Sequence, residues 1–96
     1  MDNQELYDWI LDNLDYRLEK VERKGETKWC YPVGDSSGRD FYKYIPLEHL
    51  EDDRIDSLAE EIFSDYGYEY DEADWEEFYD IFEEVFYDLV DENLGK

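Results

Sequence analysis

The stretch Asp74-Trp75-Glu76-Glu77-Phe78-Tyr79-Asp80-Ile81-Phe82-Glu83-Glu84-Val85-Phe86-Tyr87-Asp88-Leu89-Val90-Asp91 holds two patterns at once. Trp75, Phe78, Phe82, Val85, Phe86 and Leu89 recur at helical spacing and form one apolar stripe. Glu76, Glu77, Asp80, Glu83, Glu84, Asp88 and Asp91 advance by one, three, three, one, four and three residues, which keeps them on the opposite side. The spacing predicts a helix from about Ala73 to Asn93, capped by Asp71 or Asp74 and closed by Gly95. A disordered acidic tail lacks the apolar half of this pattern, because it cannot bury enough surface to offset chain entropy.

Working outward, the same composition extends from Ile55 to Gly95, with sixteen Asp and Glu and no Lys, Arg or His. A second helix is predicted from about Asp53 to Tyr66. Ile55, Leu58, Ala59, Ile62, Phe63 and Tyr66 form its inner face, Asp52, Asp53, Asp56, Glu60, Glu61 and Asp65 carry its charge, and Gly67 ends it. Tyr68 to Glu72 reads as a short acidic, tyrosine-rich connection. Between Asp71 and Glu92 there are eleven acids in twenty-two residues. At a rise of ~1.5 Å per residue this is one negative charge per about 3 Å of helix axis. One DNA strand presents a phosphate about every 3.4 Å.

At the other end, Asp2 and Glu5 fit a capping-box-like start. Leu6, Ile10, Leu14, Leu18 and Val21 then predict a first helix from about Asn3 to Lys24, with Asp8, Asp12 and Asp15 early, Lys20, Arg23 and Lys24 late, and Gly25 as its stop. Thr27 to Val33 and Phe41 to Ile45 are β-prone and flank the turn Gly34-Asp35-Ser36-Ser37-Gly38. Two strands alone are marginal, so this hairpin has to pack on helices. The expected fold is a small, mostly helical α+β domain of order α-β-β-α-α.

Ninety-six residues make one domain, and 42% apolar with 19% aromatic side chains make it globular despite a formal charge of −21. That charge argues against direct binding of nucleic acid or of an anionic membrane, and it makes a basic protein the natural complement. No apolar run approaches the length of a bilayer span, and Met1 to Tyr7 is not a signal sequence, so a cytoplasmic setting is expected. Cys30 is the single cysteine, read as a buried strand residue, and His49 is the single histidine, read as a surface residue. Paired carboxylates are too abundant for any pair to stand out in acid–base work, so no catalytic residue and no cofactor is expected. The segment Asp65 to Glu72 offers four carboxylates but lacks the EF-hand register, so no dedicated metal site is assigned there.

A merely solvated helix face mixes both signs, because opposite charges at i,i+4 stabilise and like charges destabilise. Here Glu76–Asp80, Asp80–Glu84 and Glu84–Asp88 are all like-charged pairs, while seven of the nine bases lie before residue 44. The acidity is placed, and binding explains placement better than solubility does. The expected partner-binding set comprises Asp56, Glu60, Glu61 and Asp65, then Glu69, Asp71 and Glu72 with Tyr68 and Tyr70. It continues through Asp74, Glu76, Glu77, Asp80, Glu83, Glu84, Asp88 and Asp91.

In size, charge, lone cysteine and carboxylate rows such as Glu76-Glu77-x-x-Asp80-x-x-Glu83-Glu84, the whole chain resembles the small acidic DNA-mimic proteins of phages and mobile elements. Anti-restriction proteins, inhibitors of uracil-DNA glycosylase and many anti-CRISPR proteins belong to that group. The resemblance implies an inhibitor that occupies the basic nucleic-acid groove of a host protein, with an anti-CRISPR acting on a CRISPR effector as the first expectation. A restriction enzyme, another DNA-processing enzyme or a basic nuclease toxin are the alternative targets, the last making the chain an immunity protein or antitoxin. A calcium- or salt-dependent structural protein is the third reading.

Overall fold

The computed structural model describes residues 2–34, 42–70 and 73–95. The expected turn at Asp35-Ser36-Ser37-Gly38, the strand start at Phe41, and Asp71 and Glu72 lie outside the described residues. Helix α1 (Asn3–Arg17) is followed by strands β1 (Glu19–Arg23), β2 (Glu26–Gly34) and β3 (Tyr42–Pro46). After one 3-10 turn (Leu47–His49) come helices α2 (Asp52–Glu69) and α3 (Trp75–Asn93). The α+β class and the hairpin packed on helices are as expected. The sheet has a third strand that the sequence reading assigned to helix, and its order is β1-β2-β3, antiparallel throughout.

α1 starts as predicted, with the Asp2 carboxylate accepting from the Glu5 N–H at 2.8 Å. It stops seven residues early, at Arg17, where Leu18 turns to extended backbone. Gly25 does not end a helix. With Lys24 (φ 54°) it forms a two-residue turn in which both residues have positive φ, the requirement of a tight hairpin of the right twist. A helix running to Lys24 would have had only Val21 to bury beyond Leu18, and it would have left β2 and β3 as a two-stranded sheet. Pairing Glu19–Arg23 against Glu26–Cys30 supplies the third strand and sets Arg23 opposite Glu26.

α2 runs through Gly67 to Glu69. A helical glycine costs ~1 kcal/mol relative to alanine. Tertiary contacts offset it: Trp9 packs edge-on against Tyr66 at 5.3 Å and against Tyr70 at 6.5 Å, and its indole N–H donates to the Glu69 carboxylate at 3.0 Å. α3 begins two residues later than predicted, with the Asp74 side chain accepting from the Glu76 N–H at 3.1 Å, and ends at Asn93 as expected.

α3 is the spine of the core. Phe78, Ile81, Phe82, Val85, Phe86 and Leu89 are buried on it against Leu6, Ile10 and Leu14 of α1, Ile55, Leu58 and Ile62 of α2, and Trp29 of β2. Phe78, Phe82 and Phe86 stack successively at 6.3 and 6.0 Å, which aromatic rings one turn apart do at little entropic cost. Trp75 is half-exposed and closes the end of the stripe on Phe63 rather than filling the core. Cys30 is buried on β2, as expected of it, and burial pushes its thiol pKa up.

Asn93 is the buried polar residue of the core and a junction between helix and sheet. Its Oδ1 accepts from the Trp29 N–H at 2.7 Å, and its Nδ2 donates to the Trp29 carbonyl at 2.9 Å and to Glu48 at 3.0 Å. The β2–β3 ladder ends at Cys30 opposite Pro46, so the carboxamide takes the place that a further β3 residue would have filled beside Trp29. Burial works against ionisation of Glu48. The hydrogen bonds from Lys28 (2.9 Å) and Asn93 outweigh it and hold its carboxyl below the usual carboxylate range.

Candidate functional site: an anionic ridge on α3

The molecule is a slab of 42 × 35 × 20 Å with the outer side of α3 open to solvent. α3 carries eight carboxylates in nineteen residues, about 28 Å at ~1.5 Å per residue, or one per about 3.5 Å. Five of them, Glu76, Asp80, Glu84, Asp88 and Glu92, follow each other at steps of four and form one continuous ridge. Glu77, Glu83 and Asp91 flank it. Glu76, Glu77, Asp80 and Glu84 are exposed, and none of them meets a cation among the described residues.

The other expected site residues divide by location. Glu61 and Asp65 turn toward α1, where Arg17 reaches both, at 3.3 and 2.5 Å. Arg17 is itself braced by the Asn13 side chain at 3.2 Å. Glu69 accepts from Trp9, and Asp74 is the cap of α3. Together these four carboxylates tie the fold, although Glu61 and Asp65 keep more than half of their surface. Asp56 and Glu60 are exposed on α2. Tyr68 is 93% exposed and free for contact, whereas Tyr70 packs on Trp9 and Tyr66. The acidic surface is thus centred on α3, and less of α2 belongs to it than the sequence suggests.

Two phenols flank the ridge and fix its neighbours. Tyr7 of α1 donates to Asp88 at 2.5 Å, and Tyr79 of α3 donates to Asp56 of α2 at 2.6 Å. The hydrogen bond that the phenol donates to a carboxylate, burial and the negative charges nearby push the Tyr7 pKa up to about 12, and the same causes raise Tyr79 as well. A raised phenol pKa stabilises the fold below the unfolded value of 10.0, and that contribution is lost as pH climbs toward 12. Urea titrations at rising alkaline pH are expected to show this loss. Tyr7→Phe/Tyr79→Phe should begin less stable near neutrality and then lose less between about pH 10 and 12.

Sequence reasoning missed Glu92, although it is the next step of four after Asp88. It also missed the groove of about 580 Å³ into which the ridge runs, between α1, α3 and the sheet. The groove depends on β1, which the first-helix reading had removed. No group of His, Cys, Asp and Glu among the described residues is arranged to hold a metal ion, and no helix of the described residues is long and apolar enough to cross a membrane. Comparison with protein families, curated proteins and solved structures gives no match.

Proposed function

We propose that this protein is a cytoplasmic DNA-mimic inhibitor in a bacterial host, first of all an anti-CRISPR. In this reading α3 lies in the basic nucleic-acid groove of a CRISPR effector and blocks DNA binding. The observation that carries the reading is the ridge Glu76–Asp80–Glu84–Asp88–Glu92: like charges repeated at i,i+4 along an open helix face, at an axial density near that of one DNA strand. Such a row destabilises its own helix, and lysines and arginines spaced for phosphates would relieve it. The protein acts as a rigid polyanion with a core, so it docks without the ordering cost of a flexible acidic tail. Charge steering speeds encounter, and the exposed Tyr68 and Tyr87 at the margins can stack on partner arginines.

The test is capture of partners from a bacterial lysate at low salt, followed by elution with salt. A CRISPR effector in the eluate, with affinity falling at least ~10-fold between about 50 and 200 mM salt, supports the reading. Recovery of a restriction enzyme or a nuclease toxin moves the target to that class. An empty eluate overturns inhibition by mimicry.

A further inference from the structure

β1 is an edge of the sheet, with β2 on one side and no strand on the other among the described residues. Both main-chain groups of Trp29 are taken by Asn93, so they point away from β1. Lys20 faces Trp29 in the ladder, at a non-hydrogen-bonded position, so its own N–H and carbonyl point away from β2. Alternation along the strand turns the N–H and carbonyl of Glu22 the same way. No loop or helix main-chain group among the described residues bonds to either residue. Neither a proline nor a bulge blunts this edge, and its five residues keep unbroken register with β2. The opposite edge, β3, ends in Pro46 and has Lys43 as its one charged residue.

Glu19-Lys20-Val21-Glu22-Arg23 is its own charge complement when read backwards. Laid antiparallel on a second copy about Val21, it sets Glu19 against Arg23 and Lys20 against Glu22, each pair occurring twice. The same register satisfies the main chain. Lys20 and Glu22, whose main-chain groups point outward, are the residues that meet and exchange N–H···O=C bonds. Val21 meets Val21 at a non-hydrogen-bonded position, where side chains come closest. Charge and main-chain direction thus agree on one register. The four charged side chains are exposed, Val21 is half-buried, and none of the four is ion-paired among the described residues.

We infer that β1 is a homodimer interface, at which two copies join edge to edge about Val21 and their sheets become one. The contact is isologous, so it closes at two copies. It is one short strand long, which makes a weak, concentration-dependent dimer. β1 itself has no net charge in a chain of −21, so it adds nothing to the repulsion between copies. At ~0.15 M salt, repulsion among acids more than about 8 Å apart is largely screened. The dimer does not depend on the mimic reading, because the ridge lies on α3 and the contact on β1.

Sedimentation equilibrium of the full chain from about 10 µM to about 1 mM, at ~0.15 M salt, is expected to show monomer and dimer and nothing larger. Amide exchange at Lys20 and Glu22 should slow as concentration rises. Glu19→Arg and Arg23→Glu each set like charges opposite one another across the two-fold, and each is expected to weaken self-association at least ~10-fold. Mixed in equal amounts they restore opposite charges, and the mixed dimer is expected within about threefold of the parent. Repulsion between whole chains predicts something else, since Glu19→Arg lowers the net negative charge and would strengthen association. Lys20→Glu and Glu22→Lys form a second such pair on the other sheet face, used if circular dichroism shows that a variant of the first has lost its fold. A chain still monomeric at the highest concentration, a mixture that associates no better than its components, or a Glu19→Arg dimer tighter than the parent would overturn the interface.

Discussion

Replacing Glu76, Asp80, Glu83 and Glu84 by their amides is expected to make the protein more stable and to abolish the inhibition proposed for it. The two effects have one cause. Glu76–Asp80 and Asp80–Glu84 are like-charged pairs one turn apart on an open face, and Glu84–Asp88 continues them. Each such pair destabilises a helix by a few tenths of a kcal/mol, so neutralisation returns about 1 kcal/mol, and more at low salt. None of the four makes a hydrogen bond or ion pair through its side chain among the described residues, so the amides break nothing in the fold. Binding goes the other way. Close interfacial charge pairs carry ~1.5 kcal/mol or more, so losing four lowers affinity by at least ~100-fold. Urea denaturation and an inhibition assay on one set of variants read both effects. Stability that rises while inhibition is unchanged would remove the ridge from the mechanism.

The largest effect on the fold is expected at Asn93. Asn93→Ala strips a buried main-chain N–H and carbonyl of Trp29 of their partners and takes one donor from Glu48. Each buried polar group left unpaired costs ~1–3 kcal/mol, so the sum is about 3–5 kcal/mol. A domain of this size holds only ~5–10 kcal/mol, and the variant is expected to be partly unfolded at 37 °C. Asn93→Asp has nearly the same shape and keeps the acceptor for Trp29. It turns a donor into a carboxylate oxygen facing Glu48, and it is expected to be at least as destabilising at neutral pH and to recover as pH falls. Urea midpoints at two pH values, with hydrogen exchange at the Trp29 amide, check both. If Asn93→Ala is as stable as the parent, the amide does not stand in for the missing strand.

Much of the architecture was legible because the relevant signals are local. The periodicity of Phe78, Phe82, Val85, Phe86 and Leu89 places α3 almost to the residue, and Asp2 and Asp74 cap the helices as short polar side chains do. Asn93 is in phase with that stripe, five turns after Trp75, but a polar residue beside a helix end reads as an ending. Gly25 and Gly67 each follow a helical pattern as a helix stop does, yet the first makes a hairpin turn and the second lies inside a helix. Glycine permits several backbone states, and the choice fell to distant partners: β2 for the segment before Gly25, and Trp9 for the turn around Gly67.

The sequence by itself determined that acids and aromatics share helices at opposed faces, since both follow from a period of 3.6 along one chain. With the β-prone segments 27–33 and 41–45, that determined the α+β class and pointed to a surface of ordered carboxylates. Only the tertiary structure decided which of those carboxylates face outward together. Arg17 lies forty-four residues from Glu61 and draws it with Asp65 toward α1, while the ridge on α3 meets no such cation. It also decided that Lys20 belongs to a strand and covers Trp29, because a strand needs a partner along its whole length and a sequence does not name that partner.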